Sequence, residues 1–395
     1  MRIALLIAGM FALATTVSAA EVSDKARRLA DELLIVDTHI DVPYRLEDKF
    51  ENVAEATAGG DFDYPRAQAG GLDVAFMSIY IPADKQGSDE AAQLANRLID
   101  GVEKIAKDAP SKFVLVNDTK AARKLAGGKR IGFALGMENG APVRTLEDLE
   151  HFHARGIRYI TLTHSKSNHI SDSSYDHDHQ WHGLSPFGKE LVTAMNRVGV
   201  MVDISHVSDE AFWQALEISE VPLIATHSSA RYLTPGFERN MSDDMIRAMA
   251  KKGGVVQINF GSTFVTERAN AYYNEFKTYR DAWLKEENKE DDESAAEAFY
   301  AGYKAAHPFP YATLAEVLDH FDHVVKVAGV DHVGIGSDYD GVGDSLPEGL
   351  KSVADYPRLV QGLLDRGYSE KDIRKILGGN AMRVWEAVET YAASR

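Results

Sequence analysis

The side chains from which chemistry can be read lie in a few short stretches. One is Asp37-Thr38-His39-Ile40-Asp41, directly after the apolar run Leu33-Leu34-Ile35-Val36. Residues two apart in an extended chain face the same side. His39 and Asp41 therefore present an imidazole nitrogen and a carboxylate together, a pair that suits a divalent ion of zinc's character. A lone His-x-Asp is more often a satisfied polar strand end; its weight here comes from recurrence. Glu138 stands in Gly136-Met137-Glu138-Asn139-Gly140 and His164 in Leu162-Thr163-His164-Ser165. His206 ends Val202-Asp203-Ile204-Ser205-His206, His227 lies in Ala225-Thr226-His227-Ser228-Ser229, and Asp338 in Gly336-Ser337-Asp338-Tyr339-Asp340-Gly341.

Each of these stretches needs an element to position it. Eight apolar, β-branched-rich segments, at 33–36, 72–81, 131–137, 157–163, 200–204, 222–225, 255–260 and 332–335, alternate with amphipathic helical patterns such as 90–107, 146–154, 187–198, 209–218 and 243–251. This alternation predicts a parallel (β/α)8 barrel of the TIM type. A doubly wound open sheet is the competing architecture. No Gly-x-Gly-x-x-Gly or P-loop follows an early strand, which removes its nucleotide-binding form. Barrel enzymes carry their chemistry at the C-terminal ends of the strands, where these stretches fall.

Converging His and carboxylate side chains are seldom buried unless paired or metal-bound. Their number points to two ions: one on His39 and Asp41, the other on His206 and His227, with Glu138 and a water or hydroxide bridging. Two ions about 3.5–4 Å apart can hold both sides of a hydrolytic transition state. The chain has no cysteine, so His, Asp and Glu must serve. Zinc is the expected metal, with manganese, iron and cobalt as alternatives. Asp338 is then a spare carboxylate able to take and return a proton, with Asp340 its close competitor. His164 is a surplus imidazole that can hold a developing oxyanion, against a ligand or structural role. Arg239, from spacing alone, reads as an ordinary surface arginine.

The bulk composition narrows the partners. In 395 residues, 43 basic side chains face 60 acidic ones, a net charge of −17. That opposes nucleic acid binding and docking on anionic lipid. The N-terminus has a basic Arg2, an apolar core over 3–14 and small residues at Val17-Ser18-Ala19-Ala20. It reads as a signal peptide over 1–20, giving an exported, periplasmic or secreted protein. Residues 21–395 are expected to form one barrel domain, with a helical insertion at about 267–307 and closing helices at 369–377 and 381–391, separated by Gly378-Gly379-Asn380. The insertion reads as a solvated excursion before a lid or a homodimer contact, and the His-rich stretch 175–182 as a solvated or lid loop before a third metal site. The C-terminus carries no apolar tail, so no membrane anchor is expected.

Taken in order, the motifs resemble the membrane dipeptidase (renal dipeptidase) family of zinc metallopeptidases, from about residue 33 to 389. Val36-Asp37-Thr38-His39-Ile40-Asp41, Tyr159-Ile160-Thr161-Leu162-Thr163-His164-Ser165, Asp203-Ile204-Ser205-His206-Val207-Ser208 and Thr226-His227-Ser228-Ser229-Ala230 carry the likeness, with the Glu138 and Asp338 stretches. The resemblance implies two zinc ions on the ligand set given above, His164 and Arg239 on the substrate, and Asp338 as acid/base. It implies hydrolysis of dipeptides, with tolerance of a C-terminal D-residue. Lacking the disulfides and lipid anchor of mammalian members, the chain looks like a soluble bacterial relative. Gly261 after Asn259-Phe260, where mammalian members have an aromatic residue, alters the expected pocket for the C-terminal side chain. Two rivals stand beside this reading: an amidohydrolase-type enzyme acting on another small amide or lactone, and a non-catalytic metal-binding protein.

Overall fold

A computed structural model describes residues 21–289 and 292–395. The expected signal peptide, 1–20, lies outside them. The strands are β1 (Val36–Ile40), β2 (Val74–Tyr80), β3 (Phe113–Leu115), β4 (Ile131–Glu138), β5 (Ile157–Thr161), β6 (Met201–Asp203), β7 (Ile224–Ala225), β8 (Val255–Ile258) and β9 (Val333–Ile335). All pairings are parallel, in the order β2-β1-β9-β8-β7-β6-β5-β4-β3, and a further β2–β4 pairing closes the ring. The result is a closed eight-stranded (β/α)8 barrel plus one extra strand. That extra strand, β3, was not expected. It is short and pairs only with Ile131–Phe133 at the start of β4, whereas β5 joins β4 from Leu135 onward.

Alternation along the strands sorts the apolar side chains into two cores. Ala75, Met77, Phe133, Leu135, Val202, Val256 and Ile258 belong to the cluster between strands and outer helices. Val36, Val74, Phe76, Ala134, Tyr159, Met201, Ile224 and Val255 fill the barrel with Trp385 and Val388 of the last helix, Asn380–Ala393. That helix plugs the N-terminal mouth: Trp385 packs on Phe76 at 5.2 Å and Phe76 on Tyr159 at 5.6 Å between ring centroids. Gly136 must be glycine because the Tyr159 ring crosses beside it; a Cβ there would lie 1.9 Å from the ring.

The outer helices start where side-chain caps satisfy their first amides. Ser208 accepts from Ala211 N, Ser242 from Met245 N, and Thr313 forms a capping box with Glu316. Between β8 and helix Leu314–Ala328, the chain makes helices Ser262–Val265, Glu267–Glu286 and Glu293–Ala306, where the insertion was expected. The closing helices differ from expectation. Gly378-Gly379-Asn380 does not separate them; Glu370–Arg374 runs through a wide π turn, Lys375–Gly379, directly into Asn380–Ala393. A Cβ on Gly378 would sit 2.6 Å from Leu34 O, so this glycine serves close approach to β1 rather than helix termination. Among the described residues, no helix is long and apolar enough to cross a membrane.

Candidate metal centre

The strand ends converge on Glu138, the last residue of β4, which is buried in the barrel mouth. Its Oε1 lies 3.1 Å from His206 Nε2, 3.2 Å from His227 Nε2 and 3.5 Å from His164 Nε2. Its Oε2 lies 3.4 Å from His39 Nε2 and accepts a hydrogen bond from Ser78 Oγ at 3.2 Å. His39 Nε2 is also 3.3 Å from Asp41 Oδ2, and His206 Nε2 is 2.8 Å from His227 Nε2.

Local structure aims each group. β1 runs over Val36–Ile40, starting three residues and ending four residues later than expected, because His39 pairs with the chain after β9: Asp338 N donates to His39 O and Asp41 N to Tyr339 O. Asp41 then begins helix Val42–Asp48, where Pro43 fits the first turn. Its side chain makes no capping bond and is free to face His39. His206 and Asp338 adopt left-handed backbone, φ 69° and 64°. For residues with a Cβ this costs roughly 1–2 kcal/mol each. Such strain gathers at functional sites held by their surroundings.

Asp338 joins His39 and Asp41 in one group of ligand-type atoms, all within 4.8 Å of one another. Asn259 Nδ2 donates to its Oδ2 at 2.7 Å. Asp340, its competitor, is committed elsewhere: Oδ1 accepts from Asp61 N at 2.6 Å, and Oδ2 lies 3.3 Å from Arg45 Nε. His164 sits nearer the coordinating groups than a purely substrate-facing residue need do. It groups with Glu138 and His206, its ring centroid 4.1 Å from that of His206.

Arg239 corrects the reading from spacing. It is buried, with Nη1 donating to Ser228 Oγ at 2.6 Å and Nη2 to His227 O at 2.8 Å; its guanidinium lies 5.3 Å from the Phe264 ring centroid. A surface arginine would float free. This one is fixed because Asn240 beside it is tied to Ser229 N, Thr234 Oγ1 and Phe264 O. Tyr175 was expected only as part of a solvated or lid loop. Its ring lies 5.9 Å from His206 and 6.1 Å from Phe237, walling the mouth. The rest of the His-rich stretch forms no group of three metal-type ligands among the described residues. A cavity of about 660 Å³ between helices Val42–Asp48 and Asp89–Asp108 contains none of these groups.

The electrostatics fit a cation. Burial holds His206 and His227 well below the ordinary histidine pKa, with Arg239 adding to it. Burial opposes charge on His39 too, but the Glu138 and Asp41 carboxylates it faces raise its pKa well above normal. Burial pushes Asp338 up to about 8, with Asp41 and Glu138 adding to the rise and His39 opposing it. A bound cation inverts this and favours the carboxylate. His39 Nε2 has no hydrogen-bond partner although it faces two carboxylates. Imidazole nitrogens and carboxylate oxygens without thiolate suit a divalent ion such as zinc, manganese, iron or cobalt.

The model of the membrane dipeptidase family, peptidase family M19, matches residues 23–395. The chain belongs to that family. It is a metal-dependent dipeptidase, hydrolysing peptide bonds. Solved structures share its barrel. The probable dipeptidase PvdM from Pseudomonas aeruginosa is 26% identical, with a TM-score of 0.82, covering 93% of this chain and 98% of that one. The metallopeptidase dipeptidase AC is 23% identical, with a TM-score of 0.74 and coverage of 90% and 99%. A metallopeptidase from Rhodobacter sphaeroides, liganded with a phosphinate mimic of the dipeptide L-Ala-D-Ala, is 22% identical, with a TM-score of 0.73 and coverage of 90% and 99%.

Proposed function

We propose that this dipeptidase is exported and works with two zinc ions, one on His39 and Asp41 and one on His206 and His227, bridged by Glu138. The observation that carries the reading is Glu138 itself, whose two oxygens face the two histidine groups separately. Held by these residues, zinc would supply polarisation of a peptide carbonyl and a water whose pKa is lowered to about 7. Asp338 takes the proton from the attacking water and returns it to the leaving nitrogen. Asn259 fixes one oxygen of that carboxylate, so proton exchange falls to the other. His164, exposed enough at 20% of its side chain to meet a ligand, supports the carbonyl oxygen as charge develops.

Arg239 binds the free carboxylate of the dipeptide. No acidic side chain lies within ion-pair distance of it among the described residues, and its Nε has no partner. A buried guanidinium left so is poised for an anion, and the fork geometry of arginine favours a carboxylate. The Rhodobacter relative's ligand makes L,D-dipeptides the first substrates to compare with L,L ones. The test is amino-acid release from both series, each beside its C-terminal amide, before chelation, after it and after zinc is restored. Zinc-dependent cleavage of the acids with the amides cleaved poorly is expected. No cleavage by a fully metallated protein would refute the reading.

A further inference from the structure

Below the coordinating groups lies a buried carboxylate with no metal-type partner. Asp203 ends β6, is fully buried, and accepts hydrogen bonds at both oxygens. Oδ1 accepts from Ser205 N at 3.0 Å and Thr226 N at 2.9 Å. Oδ2 accepts from Thr161 Oγ1 at 2.5 Å and Thr226 Oγ1 at 2.7 Å. A threonine hydroxyl has one hydrogen to give. Thr226 gives it to Asp203, so toward His227 Nδ1, 2.8 Å away, its oxygen can only accept. The proton between them therefore sits on His227 Nδ1, leaving Nε2 with a bare lone pair facing Glu138.

We infer that Asp203, acting through Thr226, is a positioning residue that fixes the tautomer in which His227 binds metal. The inference rests on His227 being a ligand, as proposed above. Hydrogen bonds of this kind to the remote ring nitrogen orient metal-binding histidines and raise their basicity. The geometry also says what Asp203→Asn does. Two backbone N–H groups face Oδ1, so the amide oxygen must take that side and the NH2 must face the threonines. Thr226 Oγ1 then accepts from the amide and turns its own hydrogen to His227 Nδ1. The ring proton moves to Nε2, where no lone pair is left for a metal. His206 shares none of this: its Nδ1 is buried with no hydrogen-bond partner.

The test uses the full chain. In zinc-free protein labelled with 15N-histidine, NMR should find His227 protonated on Nδ1 in the wild type and on Nε2 in Asp203→Asn. Zinc competition against a chelator should show Thr226→Val, which removes the hydroxyl at nearly constant shape, weakening one of two ions by ~10–100-fold. Thr226→Ser should restore it. Wild-type His227 protonated on Nε2, or a serine variant as weak as valine, would overturn the relay. The wild-type tautomer can be read even where a variant fails to fold. Failure of the wild type to bind zinc defeats the metal assignment itself, whereas unchanged binding by Thr226→Val and Asp203→Asn defeats only the relay.

Discussion

His39 and Asp41 come from one strand end, two residues apart, whereas His206 and His227 follow different strands and meet because β6 and β7 pair side by side. Their rings are also held differently. His39 Nδ1 lies 2.8 Å from the Tyr159 hydroxyl, a phenol that burial keeps neutral. His227 Nδ1 meets Thr226, backed by the Asp203 carboxylate. One half therefore has a neutral partner anchored in the apolar column through Phe76 and Trp385, and the other an anionic one anchored in a polar floor. In the binuclear site proposed above, two similar ligand sets would differ in basicity through groups that touch neither ion.

The bridge between the halves should produce the largest effect. Glu138→Ala removes the side chain that contacts both, so the purified protein should lose both ions and its turnover. Metal analysis after dialysis that still finds two ions per chain would show that the halves bind independently.

Asp338→Asn should keep both ions and lower kcat by ~10²–10⁴. Its place beside His39 and Asp41 sets the alternative. Loss of one ion in parallel with turnover would make Asp338 a ligand of the first half instead of a proton carrier.

Tyr159→Phe tests the asymmetry directly. Removing a neutral partner should weaken zinc on the His39 side by no more than ~10-fold, the lower end for such groups. Thr226→Val should cost the other side more. Equal losses in chelator competition would mean that charge behind the ring does not matter here.

The smallest effect is in pH dependence. Asp338, held at about 8 by burial with Asp41 and Glu138 adding, keeps its proton in the folded metal-free protein long after the unfolded chain has released it near 4. Its stabilising contribution is full below that lower value and is lost as pH rises to about 8. Zinc-free protein should therefore fall in urea midpoint across this window, and Asp338→Asn should fall less steeply. Asp73, which burial raises to about 7, keeps part of the slope in both. Identical slopes would place Asp338 outside the titration.

The ligand stretches were legible because each pairs an apolar β run with an abrupt His or carboxylate, a contrast that burial makes costly without a partner. β3 was not, since three residues, one buried and two half-buried, leave no period to read. Nor was the unbroken closing helix, because two glycines signal a break unless the surface they pack against is known. Tyr159 and Asp203 stood inside the quoted stretches, yet nothing in a one-dimensional pattern says which strand residue faces inward or what it meets across strands, all the less where the register shifts, as it does between β4 and β5 at Leu135 and Gly136.

What the sequence by itself determined is the alternation of strands and helices, the absence of thiolate ligands and the order of the coordinating motifs, because period, composition and residue type are local properties. Only the tertiary structure decided that Arg239 is buried and, among the described residues, unpaired by any acid, that Asp340 is taken up by Asp61 and Arg45 while Asp338 is not, and that Asp203 stands behind His227. These depend on which residues meet when the eight strands close. That meeting is set by register and packing across residues far apart in the chain.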